Sequence, residues 1–162
     1  MDGERSHGRR YSPVSLAVLI GVCLLLGGWG ASLADPVWYR GLSRPFWSPP
    51  PRFLTTTWTV LYAVMAFAAW QIWRLPLRLA WAPLSLFTGL LVLCALWPWF
   101  FFHQQMVGVA LADALAVWVV GLVTLITFWR MRASAGRLLV PAMLWATFSV
   151  VFHFILWREN MW

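Results

Sequence analysis

The chain has 162 residues, of which 62% are hydrophobic and only 10% charged, with a formal net charge of +7. A soluble domain carries about 25% charged residues, so this composition excludes a water-exposed globular protein and leaves a one-domain integral membrane protein. All 12 basic residues are Arg and lie in the gaps between apolar runs, a pattern that argues against a nucleic-acid partner and reads as positive-inside bias with snorkelling side chains.

A short basic tail, residues 1–13, carries Arg5, Arg9 and Arg10. The first apolar run, Val14 to Leu33, exceeds the ~7–15-residue core of a signal peptide. No small-x-small cleavage site followed by a polar mature domain is evident, so the run is expected to be a retained span. It offers the small-residue pairs Gly27/Ala31 and Gly28/Ser32, which permit close helix approach.

Residues 34–53 form the next unit. The stretch from Trp38 to Pro51 packs two Trp, one Tyr, four Pro and two Arg between two apolar runs. Proline fixes φ and removes a backbone donor, so this segment cannot continue either flanking helix. Trp and Tyr have an apolar body and a polar tip, which suits them to the membrane–water boundary. The expectation is a structured interfacial loop that caps a pocket.

Four further runs follow, near Leu54–Trp73, Ala82–Phe102, Gly108–Trp129 and Leu138–Trp157. Each is close to the ~20 residues needed to cross a bilayer. The predicted fold is an all-α integral membrane protein: a single bundle of five transmembrane helices over residues 14–158, with a short C-terminal tail at 159–162. Gly108, Ala112 and Ala116 make a small-residue stripe that serves either packing within the bundle or a homodimer face. Most of the 14 Trp lie near run ends as an aromatic belt, whereas Trp58, Trp118 and Trp145 lie deeper. Arg5, Arg9, Arg10, Arg74, Arg78, Arg130, Arg132 and Arg137 fall on one side, against Arg40, Arg44, Arg52 and Arg158 on the other. That bias places the N-terminus in the cytoplasm of a multi-pass protein of a bacterial cell membrane.

Few groups carry conventional chemistry. Cys23 and Cys94 lie inside apolar runs and read as small buried hydrophobes, since a disulfide framework or metal site needs closely spaced or loop-borne ligands. His103, beside Gln104 and Gln105, reads as solvated. His153, inside the last run, is a polar group in an apolar setting that needs a partner or marks function; an axial bond to a heme iron is one such use. Asp113 is the only acid well inside a run and is expected to serve capping and the helix dipole, the alternative being an ion path. There is no nucleophile–base set, phosphate loop or metal-ligand cluster.

The pattern Trp38-Tyr39-x-x-Leu42-x-Arg44-Pro45-x-Trp47-x-Pro49-Pro50 continues as Trp58-x-x-x-Tyr62, Trp97-Pro98-x-Phe100-Phe101, Ala110-Leu111-x-Asp113, Pro141-x-x-x-Trp145 and Trp157-Arg158-Glu159-Asn160. This ordered set, spanning about residues 36–160, resembles the translocator protein family, also called the tryptophan-rich sensory protein or peripheral benzodiazepine receptor family. The resemblance implies a five-helix membrane bundle, often dimeric, that binds porphyrins, heme-like tetrapyrroles, cholesterol or benzodiazepine-type ligands beneath its first loop. No cofactor is required; the tetrapyrrole is a ligand. Carried over residue by residue, Trp58 and Trp145 are the pocket tryptophans and Leu54 is a lining position. Trp38, Trp47, Cys94 and His153 complete the expected ligand-binding set.

The sequence departs from the family pattern at Leu90 and Cys94, where Gln and Asn are usual, at Ala142, where Tyr is usual, and at His153, where Asn is usual. The sterol-recognition stretch Val150–Arg158 has Phe154 in place of Tyr and is incomplete. In a tetrapyrrole complex, Trp58 and Trp145 are expected to stack on the macrocycle and Arg44 or Arg52 to pair with its carboxylates. Three functions stay open: binding for transport, sensing or sequestration; light- and oxygen-dependent porphyrin degradation assisted by Trp58 and Trp145; and a ligand-free dimeric scaffold, which a fully packed interior under the first loop would favour.

Overall fold

The computed structural model describes residues 13–161, without the side chains of Pro51, Arg52 and Thr55. The basic tail with Arg5, Arg9 and Arg10, the Arg52 guanidinium and Trp162 lie outside the described residues. All the regular structure described is helical: α1 (Pro13–Ser32), α2 (Pro36–Gly41), α3 (Pro51–Trp73), α4 (Leu77–Pro98), a π-helical turn (Trp99–His103), α5 (Val107–Met131) and α6 (Ala133–Glu159).

Among the described residues, four helices are long and apolar enough to cross a membrane: α1, α4 with its π turn (Leu77–His103), α5 and α6. The multi-pass membrane character read from composition therefore stands. α3, 23 residues long, is not among them, and the five-span count is not confirmed.

The helices close into a ring. α1 packs against α3 and α4, α4 against α5, α5 against α6, and α6 back against α3, with a smaller α3–α4 contact across the ring. α1 is the loosest member and buries only Cys23. α5 and α6 are the tightest pair. The single residue Arg132 joins them, in extended backbone at φ −156°. A Cβ on Gly136 would lie 2.6 Å from the Trp129 Cα, so only glycine allows this approach. Arg132 Nη1 also donates to the Gln71 carbonyl at 3.3 Å, tying the hairpin turn to the end of α3.

The cap contains a helix that the proline-rich reading did not foresee. Asp35 accepts from the Val37 and Trp38 amides at 2.9 and 3.0 Å, and Pro36 occupies the first helical turn. Both are favoured at these positions: Asp supplies a side-chain acceptor for otherwise unpaired amides, and proline has no amide to satisfy. Proline likewise opens α3 at Pro51, three residues before the predicted start. α4 and α6 each begin about one turn before their apolar runs, within the Arg-bearing segments around Arg78 and Arg137.

After Pro98 the helix widens. The Gln104 amide donates to the Trp99 carbonyl at 2.9 Å and the Met106 amide to the Phe100 carbonyl at 3.0 Å, and Gln105 takes a left-handed φ of 55°. Such π turns are uncommon and concentrate at functional sites. This one places Phe101 and Phe102 against the interior.

Candidate functional site

A cavity of about 130 Å³ lies among all five long helices beneath α2. α1 contributes Leu26, Gly27, Gly30 and Ala31; the cap contributes Ala34, Asp35, Pro36 and Tyr39. Leu54, Trp58, Thr59 and Tyr62 come from α3, and Cys94 and Trp97 from α4. Phe101 and Phe102 come from the π turn, Ala114 and Val117 from α5, and Trp145, Phe148, Ser149, Phe152 and His153 from α6. The interior beneath the first loop is not fully packed, which removes the observation that would have favoured a ligand-free scaffold.

Of the expected binding residues, Leu54, Trp58, Cys94, Trp145 and His153 line this cavity. Trp38 and Trp47 do not. Trp38 meets Phe101 edge-on at 5.0 Å, and Trp47 meets Phe148 and Phe152 at 6.0 and 5.8 Å, so both support the wall from behind. Their place follows from the cap helix, which turns Tyr39 inward and fully covers it. Trp118, the third deep tryptophan, lies away from the cavity and donates from Nε1 to Thr147 Oγ1 at 2.9 Å.

Tyr39, Tyr62, Trp97, Phe101, Phe148 and Phe152 line the cavity beyond the expected set, the first four within the sequence motifs given above. They form a continuous aromatic wall. Trp97 stacks on Phe101 at 5.0 Å, Trp145 on Phe148 at 5.0 Å, Phe148 on Phe152 at 6.0 Å, and Trp58 tilts against Tyr62 at 5.6 Å.

The polar atoms in this wall are unusual. Tyr39 Oη, Trp97 Nε1, Trp145 Nε1 and His153 Nε2 are buried and have no hydrogen-bond partner among the described residues. Buried polar atoms are nearly always paired with protein or with a bound molecule, so four orphans around one cavity mark a place where something else supplies partners. Burial raises the Tyr39 phenol above its ordinary value, while the Arg44 guanidinium beside it pulls it back, first by polar contact and then by its charge. The Arg44 guanidinium lies over the ring face, 4.6 Å from its centroid, and the hydroxyl itself stays unpaired.

Two other expectations change. Asp113 lies six positions into α5, past the first turn; the helix has no side-chain cap, and Oδ2 is buried without a partner. Asp113 is therefore not a cap. The small-residue stripes divide between roles: Gly27 backs onto Tyr62 and Gly108 onto Trp157 within the bundle, whereas Gly28, Ser32 and Ala112 face outward. His103 is exposed, as expected, and lies against Trp99 at 4.2 Å. Cys23 and Cys94 are free and buried, and the described residues contain no His/Cys/Asp/Glu group able to hold a metal ion.

Comparison with known proteins completes the picture. The profile of the TspO/MBR family matches residues 15–158. The human translocator protein is 34% identical over 126 residues, covering 76% of this chain and 75% of its own length. The tryptophan-rich sensory protein of Cereibacter sphaeroides is 31% identical over 131 residues, covering 81% and 82%. The tryptophan-rich protein TspO of Chlorobaculum tepidum is 28% identical over 156 residues, covering 91% and 96%. With the matched region running from α1 to the end of α6, this chain belongs to the TspO/MBR family.

Proposed function

We propose that this chain binds a lipophilic, ring-bearing ligand within the membrane, in the cavity beneath residues 34–53, for transport, sensing or sequestration. Porphyrin- or heme-like tetrapyrroles are the first candidates, with sterols behind them. The observation that carries this reading is the cavity wall: Trp58, Trp97 and Trp145, from three different helices, face one mostly apolar space roofed by Pro36 and Tyr39. Flat aromatic walls suit flat apolar ligands. Relatives named for translocation and for sensing point the same way.

Size sharpens the proposal. A cavity of about 130 Å³ is close to the ~150 Å³ that holds benzene and below the ~300–1,000 Å³ of typical ligand sites. A single aromatic ring fits the cavity as it stands; a macrocycle needs it to widen, which movement of the cap would allow. Arg44, lying over the cavity-lining Tyr39, is a cap cation for a ligand carboxylate, with Arg52 the alternative.

In this reading α3 is the fifth span and residues 14–158 form one membrane domain in a bacterial cell membrane, with the N-terminus in the cytoplasm. The outward positions Gly28, Ser32 and Ala112 give a homodimer its close-approach surface.

Titrating the purified protein in nanodiscs with protoporphyrin tests the proposal. Saturable quenching of tryptophan fluorescence, weakened in the Trp58→Phe/Trp145→Phe double variant, supports it. Absence of saturation, or an unchanged curve in the double variant, rejects it. The same indoles lie beside any pigment held there, so illumination in oxygen tests the degradative reading: a new absorbing product that needs both tryptophans establishes it, and no product removes it.

A further inference from the structure

Resting on the pocket reading above, the geometry points to a selectivity element inside it: His153 Nε2 is a fixed hydrogen-bond acceptor that selects aromatic ligands bearing an O–H or N–H group.

The argument starts from the backbone. His153 Nδ1 lies 2.6 Å from the Ser149 carbonyl oxygen, one turn earlier in α6. A carbonyl only accepts, so Nδ1 carries the hydrogen, and the neutral imidazole presents a lone pair at Nε2. That nitrogen is buried and has no partner among the described residues, and the whole side chain is 5% exposed. The ring is held on several sides. Trp97, Phe101 and Phe152 meet it edge-to-face at 4.9, 5.3 and 5.6 Å, with interplanar angles of 83°, 80° and 82°. Turning the ring over would break the bond to Ser149 and leave Nδ1 unpaired.

The remaining polar atoms do not resolve the deficit from within. Trp97 Nε1 and Trp145 Nε1 are donors lining the same cavity, yet both are also unpaired, so neither reaches His153 Nε2. An acceptor with no protein donor in an apolar cavity discriminates by what the guest brings. A guest with a donor pairs it; an isosteric guest without one leaves it desolvated and unpaired. Sites built this way reject the analogue lacking the donor more strongly than apolar pockets reject a change of one methyl group. The single-ring size of the cavity suits a phenol-like guest.

The test uses 4-fluorophenol and 4-fluorotoluene, which share ring, fluorine and size and differ in hydroxyl against methyl. Binding to the full chain in nanodiscs is followed by fluorine NMR, with empty nanodiscs correcting for partition into lipid. The expected result is a preference of about tenfold for the phenol, lost in His153→Leu while fluorotoluene still binds. In the wild-type protein the nitrogen resonance of Nε2 moves on adding the phenol and stays put with the toluene, a readout that needs no variant. Equal affinities, a preference that survives in His153→Leu, or an unmoved Nε2 resonance overturns this inference alone. Saturable binding of neither ligand overturns the pocket reading and this inference together.

Discussion

Asn160 and Ser43, 117 positions apart in the chain, exchange two hydrogen bonds: the Ser43 amide donates to Asn160 Oδ1 at 3.0 Å, and Asn160 Nδ2 donates to the Ser43 carbonyl at 3.0 Å. A third bond, from Asn160 Nδ2 to the Leu156 carbonyl at 2.8 Å, anchors the amide to the end of α6. One side chain therefore fastens the cap to the bundle beside the cavity roof. Under the proposed binding of a macrocycle, this clasp would be a barrier to entry of the ligand.

Asn160→Ala is expected to loosen the cap by about 1 kcal/mol for each hydrogen bond lost. Ser43 is held by two such bonds, so hydrogen exchange at its amide should rise about thirtyfold, with faster binding and release of protoporphyrin. Asn160→Asp keeps the oxygen that accepts from Ser43 and should protect that amide better than Ala does. Equal Ser43 exchange in the wild type and Asn160→Ala would show that the clasp does not hold the cap.

Trp145 lines the cavity, and its buried Nε1 has no partner among the described residues. Replacing it with Phe removes a buried donor that has no partner, at the cost of some packing area, so the ligand-free protein should change in stability by no more than about 1 kcal/mol. Porphyrin affinity should nevertheless fall about tenfold. A thermal melt and a quenching titration on the same sample check both halves; a large loss of stability with intact binding contradicts the assignment.

The cap helix depends on Asp35, whose carboxylate pairs with two amides. Asp35→Ala should cost about 1 kcal/mol locally, and Asp35→Asn, which retains an acceptor oxygen, much less. Amide exchange at Val37 and Trp38 reports this directly. Matching exchange in the two variants counts against the cap.

Gly136→Ala should destabilise the protein by about 1–3 kcal/mol, the usual cost of overpacking, since the new Cβ would lie 2.6 Å from the Trp129 Cα. Gly89 is the control: nothing lies within 4 Å of a Cβ built there, and alanine is the better helix former. Comparative unfolding in mild detergent should rank Gly89→Ala at or above wild type and Gly136→Ala clearly below.

Helix existence was legible in the sequence because apolar runs of bilayer length have few other uses. Side-chain direction was not. In a soluble bundle the polar face of each helix marks the outside, but here lipid and core are equally apolar. Exposed Leu25 and buried Cys23 thus sit in one uninterrupted hydrophobic run. For that reason the inward turn of Trp97 and Phe101 was hidden, while Trp58 and Trp145 were placed through a family resemblance. The cap helix was a different kind of omission. Its signal, Asp35 followed by Pro36, was present, but the prolines further along outweighed it. Asp113 was misread although the start of its helix lies within one residue of the expected one, Val107 against Gly108; from either start it is already past the first turn.

The two halves of the ring are unequally held. On one side a single-residue bend, a glycine contact and an arginine bridge lock α5 and α6 to each other and to the foot of α3. On the other side α1 sinks one side chain into the core. Under the proposed binding of a large guest, α1 and the roof attached to it have the least packing to lose as the chamber widens, which would turn the entrance toward lipid rather than water.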